Sequence, residues 1–515
     1  MTRIRASLSV FILTAALWLL HSGDAIAQAR PVVIRGALVI DGTGAPGRHV
    51  DVRIARGLIS AIGAITATRA DSIVDGSGLV LAPGFIDTHS HHDRGLEEHR
   101  DALGAVSQGI TTIVVGQDGE SQFPLADFFV RLEKQPVAIN VASYIGHGTL
   151  RDRIMGADFK RPATAAEVRL MSALLAEEMR AGALGLSSGL EYDPGIYSAR
   201  PELITLAKIA GAQGGRYISH VRSEDRHFWS AIDELITIGR EARIPVQLSH
   251  AKLAMKSLWG HADSLIGILD AARRSGVQVT LDVYPYTYWF STLTVLFPER
   301  NFSDTAEATF AMTEVAPAES AFVTSYEPDT SVVGQSIATI AAGRGSDPAT
   351  TLMDLIAGIE KPKPGGGEWD EGVMATSMSQ ADLDRIVQWP FANVSSDGGL
   401  GGAHPRGFGA FPRFYRLFVR EQSVLSLEEA VRHMTSLSAS NMGFTDRGRI
   451  APGLVADLVL LDTTNLADRS TQAKPHQVST GIRGVWVNGV LVYDGKPTGA
   501  YPGRVVRRVP ARRHD

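Results

Sequence analysis

Short apolar runs recur along this chain, and stretches with helical periodicity separate most of them. An apolar run of about four to eight residues bounded by glycine or proline is typical of a strand buried on both faces. Helical patterns lie between such runs, for example at residues 164–180, 201–213, 227–242 and 262–275. Eight runs start near Ala82, Gly109, Val137, Ala183, Arg216, Pro245, Val277 and Phe391. This alternation predicts an α/β fold, a (β/α)8 TIM-type barrel, over residues 82–447.

The two ends of the chain show a different pattern, in which short apolar strands alternate with turns. Residues 28–81 contain the turns Asp41-Gly42 and Asp75-Gly76, and residues 448–515 contain Pro452-Gly453 and Asn488-Gly489. Because neither piece is long enough to form a core alone, we expect both to combine into one small β-sandwich. We expect the basic tail to be a solvent-exposed terminus, with its arginines at Arg507, Arg508, Arg512 and Arg513.

One connection within the predicted barrel is unusually long. About 100 residues separate the end of the seventh strand near Tyr288 from the eighth strand at Phe391, whereas barrel loops usually have about two to six residues. We interpret residues 289–376 as an insertion that contains a helix at 349–359. Long insertions on the catalytic face of a barrel often act as lids, so we predict that this one closes over a substrate. A surface elaboration without substrate contact is the alternative.

The first 27 residues have the pattern of a secretory signal peptide. Arg3 and Arg5 precede an apolar stretch at residues 10–20, and Ala25-Ile26-Ala27 follows it. The chain has no cysteine, which suits an oxidising compartment, and the mature protein is therefore expected in the periplasm or medium and not in a membrane. The formal net charge is −5, and removal of two arginines and one aspartate with the leader gives −6, which argues against nucleic-acid binding.

Six metal-capable side chains sit at the ends of five separate predicted strands. Because the carboxyl ends of barrel strands share one face, these residues are expected to converge into a metal-hydrolase site. We expect His89 and His91 to share one face of the first strand, because side chains alternate along a strand. Asp397 is the proposed general base and acid, although an Asx turn in Ser395-Ser396-Asp397-Gly398 is an alternative. The six residues are His89, His91, Asp118, His220, His250 and Asp397.

The motifs around these residues resemble those of the N-acyl-D-amino-acid deacylases, or D-aminoacylases, of the amidohydrolase superfamily. The resemblance extends over about residues 31–508 and rests on GFIDTHSHHD, QGITTIVVGQDG, NVASYIGHGTLR, GALGLSSGLEYDPG, YISHVRSE, QLSHAKL, DVYPYT, SSDG, HPRGFGAFPR and GLVADLVLLD. It implies hydrolysis of an N-acylated D-amino acid with one or two zinc ions per chain. It also implies that His220 and His250 hold the tighter metal and that His89 and His91 belong to a second, weaker position.

The resemblance further implies that a small N-acylated amino acid is the partner and that its carboxylate meets a cation and a phenol. Lys252, Arg406 and Tyr284 match family positions of this kind, and Tyr192 is expected to line the same pocket. For each of these residues, a purely structural role is the alternative to substrate binding. The oligomeric state, the preferred side chain and the preferred acyl group are left open by the sequence.

Asp118 departs from the family pattern. The matching position is commonly a cysteine, whereas this chain has Gly116-Gln117-Asp118-Gly119. A carboxylate is a harder ligand than a thiolate, so we expect the site to accept Mn²⁺ or Co²⁺ more readily than its relatives do, with zinc still a suitable metal. The alternative is that Asp118 only caps the turn.

Three other functions compete with deacylation. A hydantoinase-like or dihydroorotase-like enzyme usually needs a carboxylated lysine after the fourth strand, and GALGLSSGLEY has none. A dipeptidase acting on D-configured or unusual dipeptides would use the same machinery, and the sequence does not separate it from a deacylase. A catalytically degenerate binding protein is disfavoured by the four histidines and Asp397.

Overall fold

The computed structural model describes residues 30–508, and the predicted signal peptide lies outside the described residues. Eight parallel strands form the barrel, and most of their residues are buried. We number the barrel strands 1 to 8 in chain order, with strand 3 interrupted at Tyr144. Their bounds are Phe85–Asp87, Ile110–Val115, Asn140–Ser143 with Ile145–Gly146, Gly185–Gly189, Arg216–His220, Val246–Leu248, Val279–Val283 and Ala392–Val394.

The interruption in strand 3 and the segment after strand 8 close the ring. Residues 140–143 pair with strand 2, and residues 145–146 pair with strand 4. Between strands 8 and 1, the backbone N–H of Asp397 donates to the carbonyl of His89 at 2.9 Å, and the N–H of His91 donates to Gly398 at 2.9 Å. The predicted barrel is confirmed, and its closure brings two predicted site residues into direct backbone contact.

Helices surround the barrel and start close to the predicted positions. Thr164 and Glu167 form a capping box at the start of one of these helices, because each side chain bonds the other residue's backbone N–H. Between strands 1 and 7 the helices are Leu103–Val106, Leu125–Lys134, His147–Met155, Ala165–Ala181, Arg200–Ala212, Phe228–Ala242 and Ala262–Arg274. The helix Gln380–Val387 directly precedes strand 8, and the helices after strand 8 are Arg406–Tyr415, Leu427–Met434 and Ser436–Met442.

Both ends of the chain build one small two-sheet unit, as predicted. Its four-stranded sheet contains Leu58–Gly63, Asp51–Ala55, Val32–Arg35 and Ser72–Asp75. Its six-stranded sheet contains Val490–Tyr493, Ile482–Val487, Leu458–Leu461, Val80–Pro83, Leu38–Val39 and Arg48–His49. Side chains such as Ile34, Leu458 and Trp486 form the shared core between the sheets.

The boundary expected between residues 81 and 82 lies inside a strand of the small unit. The apolar run that starts near Ala82 contains two strands, Val80–Pro83 in the small unit and Phe85–Asp87 in the barrel, with Gly84 between them. A Cβ at Gly84 would approach the side chain of Thr111 to 2.2 Å. The absence of a side chain thus allows the chain to pass closely from one unit to the other.

The insertion forms a folded subdomain between strands 7 and 8. A three-stranded antiparallel sheet is built from Tyr288–Ser291, Ala321–Tyr326 and Glu371–Thr376. The insertion has three helices, Thr305–Phe310, Ile337–Arg344 and Pro348–Ile359. The first continues as a π-helix over Ala311–Val315, and the third lies close to the predicted 349–359. A separate apolar core includes Phe297, Leu352 and Val373.

The basic tail is not simply a solvent-exposed terminus. Residues 503–508 run along the barrel, where the N–H of Val506 donates to the carbonyl of Val141 at 2.8 Å. The Arg508 guanidinium donates to the carbonyls of Ala183, Gln213 and Met179. The expectation was wrong for Arg508, because carbonyls at the end of the barrel supply acceptors that the sequence pattern does not reveal. Arg512 and Arg513 lie outside the described residues.

Within residues 30–508, no helix combines the length and the apolar character needed to cross a membrane.

Candidate metal centre

A cavity of about 570 Å³ opens at the carboxyl-terminal face of the barrel. Barrel loops form its floor, and Trp289, Phe290 and Leu296 of the insertion contribute to its wall. The insertion therefore contacts the cavity, and closure of the insertion over a substrate remains a prediction. Nine of the ten predicted site residues line this cavity: His91, Asp118, Tyr192, His220, His250, Lys252, Tyr284, Asp397 and Arg406. The tenth, His89, is fully buried beside them.

Four of the predicted ligands form one compact group around the first strand. His89 Nε2 lies 3.4 Å from Asp118 Oδ2 and 3.5 Å from Asp397 Oδ1. His91 Nε2 lies 3.3 Å from the same two carboxylate oxygens. One ligand atom from each residue thus lies within 4.8 Å of the others, which is the arrangement that a single ion requires.

A second group shares Asp118 with the first. His250 Nε2 lies 3.5 Å from Asp118 Oδ1 and 3.1 Å from His220 Nδ1. Asp118 therefore presents one oxygen to each group. This position between two ligand sets is what a residue bridging two metal ions would occupy, and a turn-capping role alone does not explain it.

Strand alternation does not bring the two histidines of the first motif together, contrary to our expectation. The first strand ends at Asp87, so His89 and His91 lie beyond it. Their backbones instead pair with Asp397 and Gly398 across the barrel seam. Asp118, His250 and Asp397 have positive φ values of 53°, 32° and 49°, an unusual conformation for non-glycine residues that turns their side chains inward after each strand.

The buried polar atoms of the cluster fit a cation. Both ring nitrogens of His89 and Oδ1 of Asp118 are buried without a hydrogen-bond partner among the described residues. Burial would raise the pKa of Asp118, but His89 and His250 hold it well below its usual range. Buried carboxylates need a compensating positive charge nearby, and a divalent cation at the centre of the cluster would supply it. Nitrogen and oxygen donors of this kind suit zinc, manganese or cobalt.

Two cationic side chains and two tyrosines lie beside the cluster of six metal-capable side chains, which we call the metal cluster. Arg406 Nη1 pairs with Asp397 Oδ2 at 2.6 Å, and Lys252 Nζ pairs with Glu224 at 2.7 Å. The guanidinium of Arg406 lies 4.9 Å from the centre of the Tyr284 ring, and the Tyr192 ring lies 4.5 Å from that of His220. The four residues predicted to bind substrate therefore surround the metal cluster on the cavity side.

Comparison with known proteins agrees with this geometry. A model described as the amidohydrolase family matches residues 72–343 and 395–493. The chain belongs to the amidohydrolase family. An N-acyl-D-glutamate deacylase of Alcaligenes xylosoxydans xylosoxydans is 37% identical to this amidohydrolase, over 93% of this chain and 96% of the relative. The resemblance to the N-acyl-D-amino-acid deacylases is confirmed.

Two solved structures are also similar to this amidohydrolase. N-acyl-D-glutamate deacylase from Bordetella bronchiseptica, complexed with zinc and a phosphonate mimic of the tetrahedral intermediate, has a TM-score of 0.83 and 34% identity, over 92% of this chain and 99% of that chain. A D-aminoacylase, described as having a binuclear metal centre with one-metal activation and second-metal attenuation, has a TM-score of 0.81 and 32% identity, over 93% and 99%.

Sequence reasoning missed three carboxylates that orient the histidines of this amidohydrolase. Glu191 Oε2 bonds His220 Nε2 at 2.9 Å, and Glu224 Oε1 lies 3.0 Å from His250 Nδ1. In each histidine the nitrogen that faces away from Asp118 thus meets a carboxylate, which fixes the ring and makes it a better ligand. Glu191 follows the end of strand 4, and Glu224 follows the end of strand 5. The search for metal-capable side chains after strand ends would therefore also have found them.

The third missed carboxylate, Asp282, lies inside the barrel beneath the cluster. Its Oδ1 is 3.8 Å from His89 Nδ1 and accepts the backbone N–H of His250 at 2.9 Å. Its Oδ2 accepts a hydrogen bond from Gln247 at 2.7 Å. The signal in the sequence was an aspartate within the apolar run of strand 7, and the structure shows that Asp282 is fully buried.

Two neighbouring histidines stay outside the cluster. His92 contacts the Ser90 hydroxyl and the Gly407 carbonyl, and His147 contacts Glu202 at 2.8 Å. Among the described residues, neither histidine belongs to the two ligand groups.

Proposed function

We propose that this amidohydrolase cleaves the amide bond of N-acyl-D-amino acids and releases a carboxylate and a free D-amino acid. The position of Asp397 carries the proposal. Its Oδ1 faces His91 at 3.3 Å, and its Oδ2 pairs with Arg406 at 2.6 Å. One carboxylate therefore contacts both the metal ligands and a cation suited to the carboxylate of the substrate. The similarity to deacylases over more than nine-tenths of the chain supports the same substrate class.

Asp397 is suited to move the proton in this reaction. Burial would raise its pKa, but Arg406 and His250 hold that pKa well below its usual range, so the carboxylate is ionised. Asp397 accepts the proton of the attacking water and delivers it to the amine nitrogen when the C–N bond breaks. The four histidines and Asp118 would hold a zinc ion, which when bound would polarise the amide carbonyl and lower the pKa of a water molecule at the site.

Arg406, Lys252 and Tyr284 position the substrate in this proposal. Both cations are buried and already face carboxylates, Asp397 and Glu224 respectively. A substrate carboxylate between them would accept charge-assisted hydrogen bonds from both and from the Tyr284 phenol. Such a clamp fixes the amide relative to Asp397 and thereby gives a basis for selection between enantiomers.

Paired enantiomers test the proposal on zinc-loaded protein. We expect release of free amine from N-acetyl-D-leucine but not from N-acetyl-L-leucine, with loss of activity after chelation and recovery with zinc. Asp397→Asn should lower kcat by about 10²-fold or more. Arg406→Ala should raise KM with unchanged zinc content, and an unaffected KM would count against the clamp. Equal hydrolysis of both enantiomers would contradict the proposal, and cleavage of D-dipeptides alone would favour the dipeptidase.

We also propose that the mature enzyme acts in the periplasm or outside the cell. Support comes from the basic start, the apolar stretch and the Ala25-Ile26-Ala27 sequence, together with the absence of cysteine. Mass spectrometry of the exported protein should find an amino terminus directly after Ala27. Retention of the full-length chain in the cytoplasm would contradict this localisation.

A further inference from the structure

A second cavity lies at the opposite, amino-terminal end of the barrel and has a volume of about 370 Å³. Residues at or before the starts of strands 5 to 8 form one side, and the helix Ser436–Met442 forms the other. The barrel interior, including Asp282, separates this cavity from the metal cluster. Its volume is within the range of sites that hold small molecules.

The side chains that line this cavity carry positive charge. Its lining contains Arg216 and Arg273 but no aspartate or glutamate among the described residues. The Arg216 guanidinium has one hydrogen-bond partner among those residues, the Ser440 carbonyl at 3.3 Å, although it has five N–H donors. Burial lowers the pKa of Arg216, so an anion in the cavity would stabilise its charged form.

Arg273 is held in place by the protein. Its Nη1 donates to the Val279 carbonyl at 2.6 Å, and its guanidinium lies 3.3 Å from the centre of the Phe391 ring. Stacking on an aromatic ring restricts the guanidinium plane and leaves its other N–H groups available to a ligand. The cavity is therefore lined by one preorganised cation, Arg273, and by a second cation with few partners, Arg216.

The rest of the lining combines apolar side chains with polar ones such as Gln278 and Asn441. Val246, Phe391 and Leu437 contribute hydrocarbon surface, and Gln247 contributes a buried amide. A free inorganic anion would leave this apolar surface without a partner. A ligand that joins one carboxylate to a short hydrocarbon chain would satisfy both the arginines and the apolar wall.

We propose that this cavity is a binding site for a small aliphatic carboxylate, separate from the catalytic site. The carboxylate binds between Arg216 and Arg273, and its hydrocarbon part contacts Phe391 and Leu437. The site requires neither the metal cluster nor the hydrolytic activity, so it can be tested even if the proposed reaction is wrong.

Calorimetric titration of the zinc-loaded protein with butanoate tests the site. The wild type should show two binding events, because Arg406 and Lys252 also attract carboxylates, and Arg406→Ala should remove only the catalytic-site event. Arg216→Gln should weaken the other event by about tenfold or more, and Arg216→Lys should weaken it less, because it keeps the charge and loses the planar fork. Arg274→Gln, an exposed neighbour of Arg273, is the matched control and should retain both events.

Three outcomes would overturn the proposal. Wild-type butanoate binding in Arg216→Gln would do so, as would a single event that Arg406→Ala abolishes. Inorganic phosphate that binds in an Arg216-dependent way while butanoate does not would show an anion site of another class. If Arg216→Gln does not fold, Arg216→Lys and Arg273→Gln provide the same comparison, and unchanged binding in both would overturn the site.

Discussion

At the scale of single residues, Asp118 is the least replaceable side chain of the metal cluster. Its two oxygens face different ligand groups, with His250 at 3.5 Å from one and His91 at 3.3 Å from the other. We therefore expect Asp118→Ala to lose bound zinc and to lower kcat/KM by about 10²-fold or more. Metal analysis beside wild type measures the loss. Glu120→Gln, which changes an exposed carboxylate at the cavity edge, is the control.

Asp118→Cys separates the ligand role from a purely structural role. A thiolate binds zinc well and binds Mn²⁺ poorly, so this variant should retain zinc and lose activity with Mn²⁺. If Asp118 only caps a turn, the alanine and cysteine variants should have the same metal content as wild type. Unchanged stoichiometry and activity in Asp118→Ala would remove this residue from the site.

The sequence predicted which residues meet in the cavity better than it predicted how they meet. Parallel strands of a barrel end on one face, so six residues that follow strands were expected to converge, and the structure places them together. The convergence of His89 and His91 depends on pairing with residues 397 and 398, about 300 positions away. Local alternation carries no information about such a long-range contact. Glu191 follows strand 4 and was therefore predictable by the same rule, although the sequence analysis did not select it.

At the scale of elements, the length of the connection predicted the insertion, but the sequence did not predict its sheet. Glu371–Thr376 forms the central strand between two segments that precede it by about 50 and 80 residues. These pairings are non-local, and the strands are short, so periodicity alone was insufficient. The helix near residues 349–359 was predictable because its apolar spacing is local.

Glu371 makes the stability of the insertion depend on pH. Burial raises its pKa to about 7, although the Leu293 N–H lowers it, whereas the ordinary value is 4.5. The folded state therefore favours the protonated acid, and the ionised form costs stability increasingly as pH rises from about 4.5 to 7. Glu371→Gln keeps the acceptor and removes the charge. We expect this variant to gain about 1 to 3 kcal/mol over wild type at pH 8 and little at pH 4.5.

Thermal unfolding of the zinc-loaded protein at several pH values measures this difference. Glu368→Gln provides a control, because Glu368 is an exposed carboxylate of the same segment. Its melting temperature should follow wild type at every pH. A Glu371→Gln variant that is equally displaced from wild type at pH 5 and pH 8 would show that its carboxyl does not titrate as described.

At the scale of the whole molecule, the chain ends hold the fold together. The six-stranded sheet combines strands from both ends, and Asp457 accepts hydrogen bonds from Asn140 of the barrel and from the Asn488 backbone. Patterns of strands and turns indicated that the ends combine, because each was too short to bury its apolar face alone. The contact between the tail and the barrel was not predictable, since its acceptors are backbone carbonyls, which every residue has.

Arg508 allows the contribution of the tail to be measured. Its guanidinium donates to three backbone carbonyls, whereas the neighbouring Arg507 forms an ion pair with Glu133 at which both side chains are more than 40% exposed. Arg508→Ala leaves these carbonyls without their donor and should cost about 2 to 3 kcal/mol of unfolding free energy. Arg507→Ala removes a solvent-screened pair and should cost less than about 1 kcal/mol. Denaturant unfolding of the two variants measures both losses of unfolding free energy. Equal losses would show that the tail contributes through charge rather than through its contacts with the barrel.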